Sequence, residues 1–216
     1  MNSSGSFRAV LSPARAEQVV RRSRFIGYAW PARDFEALEA ALARVKAESP
    51  GATHVCFGAV VGGGPAGAAV ERASDAGEPA GTAGRPILGV IRQRGLVQTA
   101  VVVVRYFGGV LLGAPGLVRA YAGTAALVLD RAPIGVFRPF VVWELRVPYS
   151  LWGPVSALWQ GRPGVQVGKV AYGEEVRVEL AVAEEESAEL ASQIAGRSGG
   201  TVMPVEGGVR WLPAGN

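Results

Sequence analysis

VQTAVVVVRYFGG, residues 97–109, is the stretch on which the fold turns. Val97 to Val104 is rich in β-branched residues and shows no apolar–polar alternation, so it predicts a central strand covered on both faces. Arg105 closes the run, and Tyr106, Phe107 and a Gly108-Gly109 turn follow. Downstream, Pro115 starts a helix to about Asp130, with Leu117, Tyr121 and Val128 on one stripe and Val118, Ala125 and Leu129 beside it. That helix is nearly all small or apolar and is expected to be largely buried. Upstream, Ser6 to Leu11 and Ser23 to Trp30 read as extended. Asp34 is placed to cap a helix carrying Phe35, Leu38, Leu42 and Val45, which Pro50-Gly51 stops. Ala52 to Val61 alternates as a strand does, with His54, Cys56 and Gly58 opposite Val55, Phe57, Ala59 and Val61. Gly62 to Gly67 reads as a turn and Ser74 to Pro86 as a loop; Pro86 suits the first turn of a short helix with Ile87, Leu88 and Ile91.

The second half reads as a separate domain. Arg131 to Pro139, with two prolines, is the expected linker. Phe140 to Val147 is a strand and Leu151 to Gln160 a short helix. Val165 to Tyr172 and Glu175 to Val182 form a hairpin around Gly173-Glu174. Glu184 to Arg197 is a helix with acids in its first turn, as the macrodipole favours, and Thr201 to Val205 is the last strand. This β-α-β-β-α-β order is that of a ferredoxin-like domain. The expected fold class is α+β in two domains, residues 1–135 and 139–216.

With 216 residues, 49% of them apolar, the chain can fill two cores. No apolar run reaches the ~20 residues of a membrane-spanning helix, and Met1 to Val10 lacks the order of a signal peptide. The single cysteine, Cys56, excludes an internal disulfide and a multi-cysteine metal site, and both absences fit a cytoplasmic location. Charge is uneven. Residues 1–138 hold 16 Lys+Arg against 9 Asp+Glu, a net +7; residues 139–216 hold 6 against 9, a net −3. A basic first half fits a binder of anions, nucleic acid being the commonest, and an arginine-rich composition accounts for it equally well.

No standard catalytic constellation is present. His54 and Cys56 share a strand face, which suits either a thiolate dyad or a buried thiol beside a hydrogen-bonded imidazole. Asp75 and Glu78 are three apart in a loop rich in glycine; they suit a hard cation or acid/base work, or equally an Asx-turn and an arginine pair. Gly77, Gly81 and Gly84 permit positive φ and close backbone approach, the geometry of an anion nest. The spacing is neither a P-loop nor GxGxxG, and no cofactor or metal motif is found. Arg105 at the strand exit fits a phosphate or nucleotide contact, or an ion pair with Asp75 or Glu78. Arg119, beside Tyr121, is a third anion contact or a solvated helix face.

Two of these loops carry a longer pattern. Ser74-Asp75 with Gly77 to Pro86 resembles the SDDGEPxGTAGxP motif of the YigZ/Impact family, and Val101 to Tyr121 resembles its VVRYFGGxxLGxGGLVRAY segment. Ser23 to Ile26 and His54-x-Cys56 are similar too. The resemblance implies a first domain like the second domain of ribosomal protein S5, and a C-terminal domain like the last domain of elongation factor G. It also implies a link to translation, which the eukaryotic Impact protein regulates. Ala76 stands where the family has a second aspartate, and Pro115 where it has glycine. The expected function is a binding protein more than an enzyme, contacting RNA or a ribosome-associated protein and no membrane. Its expected contacts are Ser74, Asp75, Glu78, Gly81, Thr82, Gly84, Arg85, Arg105, Tyr106 and Arg119. The alternative is an enzyme acting on a small anionic ligand at the same loop, with Asp75, Glu78 and His54 as acid/base groups.

Overall fold

The computed structural model describes residues 5–64 and 67–214, so the turn expected at 62–67 lies partly outside the described residues. The fold is mixed α/β, with ten strands and five helices among the described residues. The chain divides into two compact units, Phe7–Gly135 and the residues from Val136 onward, with residues 5 and 6 grouping with the second.

In the first unit the elements are β1 (Phe7–Val10), β2 (Ala14–Val20), β3 (Ser23–Pro31), α1 (Phe35–Ala47), β4 (His54–Val61), β5 (Val70–Ser74), α2 (Gly84–Gln93), β6 (Thr99–Tyr106) and α3 (Gly113–Arg131). An antiparallel sheet runs β2-β3-β6-β4-β5, with β6 in the middle. Helices α2 and α3 cover one face over Phe25, Cys56, Val101 and Val103. Helix α1 contributes Val45 to the other face, over Ile26, Val102 and Val104. Both faces of β6 are therefore dry, which is why its sequence does not alternate. Asp34 caps α1 by accepting the Ala37 N–H at 2.8 Å.

Strands β2 and β5 were not expected from the sequence. Both are edge strands without a clear apolar–polar alternation: Arg15 and Glu17 of β2 pair with each other while Val19 is exposed, and Glu71 and Arg72 dominate β5. An edge strand has one neighbour and needs no apolar run to hold it. Helix α3 starts two residues before Pro115, which sits in its first turn where no N–H is required. Val118, expected beside the buried stripe, is exposed.

The second unit comprises β7 (Ile134–Val147), α4 (Tyr149–Ser156), β8 (Val165–Tyr172), β9 (Val176–Ala183), α5 (Glu184–Ser198) and β10 (Val205–Pro213). Its strands lie in the order β10-β7-β9-β8, each pair antiparallel. The alternation of β9 buries Val176, Val178, Leu180 and Val182, the last three packing with Trp143, Trp159, Leu190 and Ile194. Two expectations are corrected. Most of the expected linker is strand, because β7 begins at Ile134. The last strand is Val205–Pro213 rather than 201–205. There the Val202 N–H is taken by Ser198 Oγ at 3.1 Å, and Pro204 has no N–H to offer, so pairing with β7 starts only at Val205.

Candidate functional site

Sheet register assembles the site. Across β3, β6 and β4 the partners Phe25, Arg105 and His54 fall in one row, on the face covered by α2 and α3. Arg105 is 5% exposed. Its Nη1 donates to Glu78 Oε1 at 2.7 Å and its Nη2 to Ser23 Oγ at 3.3 Å. The guanidinium also lies over two rings, Phe25 at 5.5 Å and Phe107 at 5.4 Å from the centroids. Glu78 is 8% exposed and reaches this position because the chain turns back sharply after β5. Ala76 and Gly77 both take the left-handed conformation there, with φ of 45° and 87°. The same Oε1 of Glu78 accepts the Tyr121 hydroxyl at 2.7 Å, and His54 Nε2 lies 3.9 Å away. His54 Nδ1 is 3.0 Å from the Ala76 carbonyl, which can only accept, so Nδ1 carries the proton and Nε2 of the neutral ring carries the lone pair.

Asp75 faces the other way. Its Oδ2 accepts the Gly81 N–H at 2.8 Å, and its Oδ1 accepts those of Ala83 and Gly84 at 2.9 and 2.8 Å. Burial pushes this carboxyl up, but the three N–H bonds and the charge of Arg85 outweigh it and hold it below the usual range. Asp75 thus closes the loop onto the start of α2. The loop and β5 touch directly there, since a Cβ on Gly84 would stand 2.7 Å from the Ser74 nitrogen. Cys56 Sγ donates to the Asp75 carbonyl at 2.9 Å and lies 3.5 Å from the Tyr121 oxygen. Burial pushes its thiol up to about 12, and burial likewise pushes the Tyr121 phenol up. A neutral, packed thiol is a poor nucleophile, so the pair His54/Cys56 is a packed thiol beside a hydrogen-bonded imidazole.

Of the expected site residues, Glu78, Arg105 and His54 converge. They form the floor of an open cleft of 440 Å³ whose walls include Pro79, Phe107, Leu111, Leu112 and Leu117. Ser74, Gly81, Thr82 and Gly84 shape the loop: Ser74 Oγ accepts from Ala76 N at 3.3 Å, Thr82 donates to the Pro79 carbonyl at 2.7 Å, and Gly81 has φ of 76°. Tyr106 packs with Val102 and Val104 on the opposite face of the sheet and does not join the site. Arg119 is exposed and shares a smaller hollow of 200 Å³ with Arg21; this hollow meets the cleft at Leu112. Arg85 and Arg22 are exposed as well, and Arg21, Arg22, Arg85 and Arg119 make no ion pair among the described residues. Sequence reasoning passed over Ser23, Arg21 and the hydroxyl of Tyr121 as parts of the site, whereas Phe107 was legible as an aromatic beside Arg105 at the strand exit, suited to stacking on a nucleotide. Tyr121 had a signal: a tyrosine in a buried helix stripe needs a partner for its O–H. Among the described residues, no three His, Cys, Asp or Glu side chains are grouped to hold a metal ion.

Residues 21–129 match the Impact N-terminal domain family. An IMPACT family member encoded in the pol 5′ region of Thermus thermophilus is 44% identical over 144 residues, 67% of this chain and 75% of that one. The IMPACT family member YigZ of Escherichia coli K12 is 37% identical over 147 residues, 68% of this chain and 72% of its own. The chain belongs to the IMPACT family. A crystal structure of a hypothetical protein superimposes with a TM-score of 0.61 at 32% identity, covering 93% of this chain and 96% of the other. Within the IMPACT pattern, the two departures of this chain have visible consequences. Ala76 occupies a left-handed position that aspartate tolerates better than alanine, and its side chain brings no second carboxylate near Asp75. Pro115 lies in the first turn of α3 without breaking it.

Proposed function

We propose that this protein is a translation-linked RNA-binding protein of the cytoplasm that engages phosphate through its first unit. One observation carries the reading: Arg21, Arg22, Arg85 and Arg119 of the first unit are exposed and without an ion pair among the described residues. Arg24, Arg44, Arg92 and Arg94 are neutralised by Glu17, Glu48, Glu71 and Asp130, while Arg8, Arg33, Arg72 and Arg131 are likewise exposed and without an ion pair among the described residues. Unpaired surface arginines beside a glycine-rich loop suit a phosphate backbone. Arg105 plays a positioning part in this reading, since Glu78 already occupies it. The translation link rests on the IMPACT family relationship.

We read residues 1–135 as the Impact domain of S5-domain-2-like fold and residues 139–216 as a ferredoxin-like domain akin to the last domain of elongation factor G. The strand order β10-β7-β9-β8 supports the second assignment, since it is what a split βαβ pair produces. The test is binding of a labelled single-stranded RNA across a salt series. Replacing Arg21 and Arg119 together by Ala is expected to lower the slope of log K against log salt by about 1.4, about 0.7 per lost single-strand phosphate contact. An unchanged slope and affinity would overturn the reading.

A second reading, an enzyme for a small anionic substrate, has one observation in its favour: His54 and Glu78 converge at the cleft floor. Against it, Asp75 is fully engaged with backbone N–H groups, which leaves Glu78 as the sole carboxylate there. Phosphate release from a panel of phosphorylated metabolites, abolished in Glu78→Gln, is the result that would favour it.

A further inference from the structure

We infer that the 440 Å³ cleft is a nucleotide-base site, built to take an unstacked base bearing an exocyclic amino group. This deepens the RNA-binding reading and rests on it for the phosphate contacts alone. The cleft has the size of a small-ligand site, which begins at about 300 Å³. Its floor is neutral, because Arg105 and Glu78 cancel, so a phosphate has little reason to enter it. The unpaired charge lies next door instead, at Arg21 and Arg119 in the hollow that meets the cleft at Leu112. A ligand fitting both is apolar and flat at one end and anionic at the other.

The walls and floor narrow the chemistry further. Phe107 is 46% exposed and Leu111 82% exposed on the cleft wall, an aromatic face and an aliphatic edge left in solvent. Base stacking on an aromatic ring is the usual grip of single-strand binders. At the floor, Glu78 is buried yet only its Oε1 is used by the chain; Oε2 accepts no hydrogen bond among the described residues. Oε2 is not sealed from solvent and so stands as an acceptor that a ligand in the cleft can use. His54 Nε2, a lone-pair acceptor in the neutral ring, lies 3.9 Å from Oε1 and lines the same cleft. An exocyclic amino group has two N–H donors and answers two acceptors. Uracil offers a single ring N–H flanked by carbonyl oxygens, which would face the carboxylate and be repelled. Adenine, cytosine and guanine are therefore favoured over uracil.

The molecule supplies its own probe, because His54 is the one histidine in the chain. Its imidazole resonances, followed in full-length protein during titration with AMP and with UMP, report on the cleft floor directly. A saturable shift with AMP and none with UMP is expected. In parallel, labelled oligo(A) should bind about tenfold more tightly than oligo(U). Phe107→Ala should remove about that factor and leave the salt slope intact, whereas Phe107→Tyr should retain it. Arg119→Ala should lower the slope and leave the preference for A. The two ideas fail separately. Equal binding of both oligomers, with Phe107→Ala like the wild type and a salt slope that falls in Arg119→Ala, overturns the base site and leaves the phosphate reading standing. An AMP shift at His54 without any RNA binding overturns the RNA reading and assigns the cleft to a free nucleotide. Silence in every arm sinks both.

Discussion

Among the described residues the first unit buries one of its ion pairs, whereas those of the second unit all lie at the surface. The side chains of Glu78 and Arg105 are 3% and 6% exposed, and Tyr121 and Ser23 add hydrogen bonds to them, while Arg105 Nε is left without a partner among the described residues. In the second unit Arg210 pairs with Glu179, Arg162 with Glu186 and Glu189, and Arg138 with Glu185, all on solvated faces. Solvated pairs add little, with a median of about 0–1 kcal/mol, and serve mainly to balance the surface. A buried pair costs desolvation and stabilises little on balance, but it fixes the groups around it. Glu78, turned inward, forms part of the cleft floor, while Arg21 and Arg119 on the surface make no ion pair among the described residues.

The largest effect that would test the contrast is at Glu78. Glu78→Ala leaves a buried guanidinium and the Tyr121 hydroxyl without their acceptor, and should destabilise the first unit by about 3–5 kcal/mol. Glu179→Ala removes a solvated partner of Arg210 and should cost the second unit about 0–1 kcal/mol. Cys56 provides a reporter specific to the first unit: its packed, neutral thiol should react with a thiol reagent only when that unit opens. Four of the five tryptophans lie in the second unit and weight fluorescence towards its unfolding. Equal losses in the two variants would break the contrast.

A smaller effect is expected at Asp75, where the carboxylate acts much as a helix cap does. Asp75→Asn keeps the size but weakens the acceptors of three N–H groups, and should cost about 1–2 kcal/mol at neutral pH. Because the folded carboxyl titrates below its unfolded value, its stabilisation is present above the unfolded pKa of about 3.9 and is lost as pH falls through the lower folded value. Urea unfolding followed between pH 2 and pH 6 should therefore show a shallower acid decline in the variant; an unchanged decline would remove Asp75 from this role. The smallest expected change has the opposite sign. Ala76 holds φ of 45°, which costs a non-glycine residue about 1–2 kcal/mol. Ala76→Gly should recover about 0.5–1 kcal/mol after the added freedom of the unfolded chain is counted. Thermal denaturation would read this directly, and a loss in place of a gain would show the side chain to be packed.

Most elements with a strong internal pattern were legible. The β-branched run gave β6, the 3.6-residue stripe gave α1, the period-two alternation of Val176 to Val182 gave β9, and Asp34 marked its cap. The loop glycines were legible in kind, since Gly77 and Gly81 take positive φ and Gly84 touches backbone. What failed was whatever depended on a neighbour. Edge strands β2 and β5 lack a pattern of their own. Strand β10 begins where Ser198 releases the backbone, and the residues expected as linker join a sheet.

The site divides along the same line. The sequence by itself determined that a glycine-rich loop with two carboxylates and a buried strand ending in arginine would matter, because local conformational demands are written in local residues. Only the tertiary structure decided which carboxylate meets the arginine. Asp75 and Glu78 are three residues apart and chemically alike; antiparallel register and the left-handed turn at Ala76-Gly77 send one to the start of α2 and the other to Arg105. Pairing across 27 residues of sequence is a property of register and packing, and no local pattern encodes it.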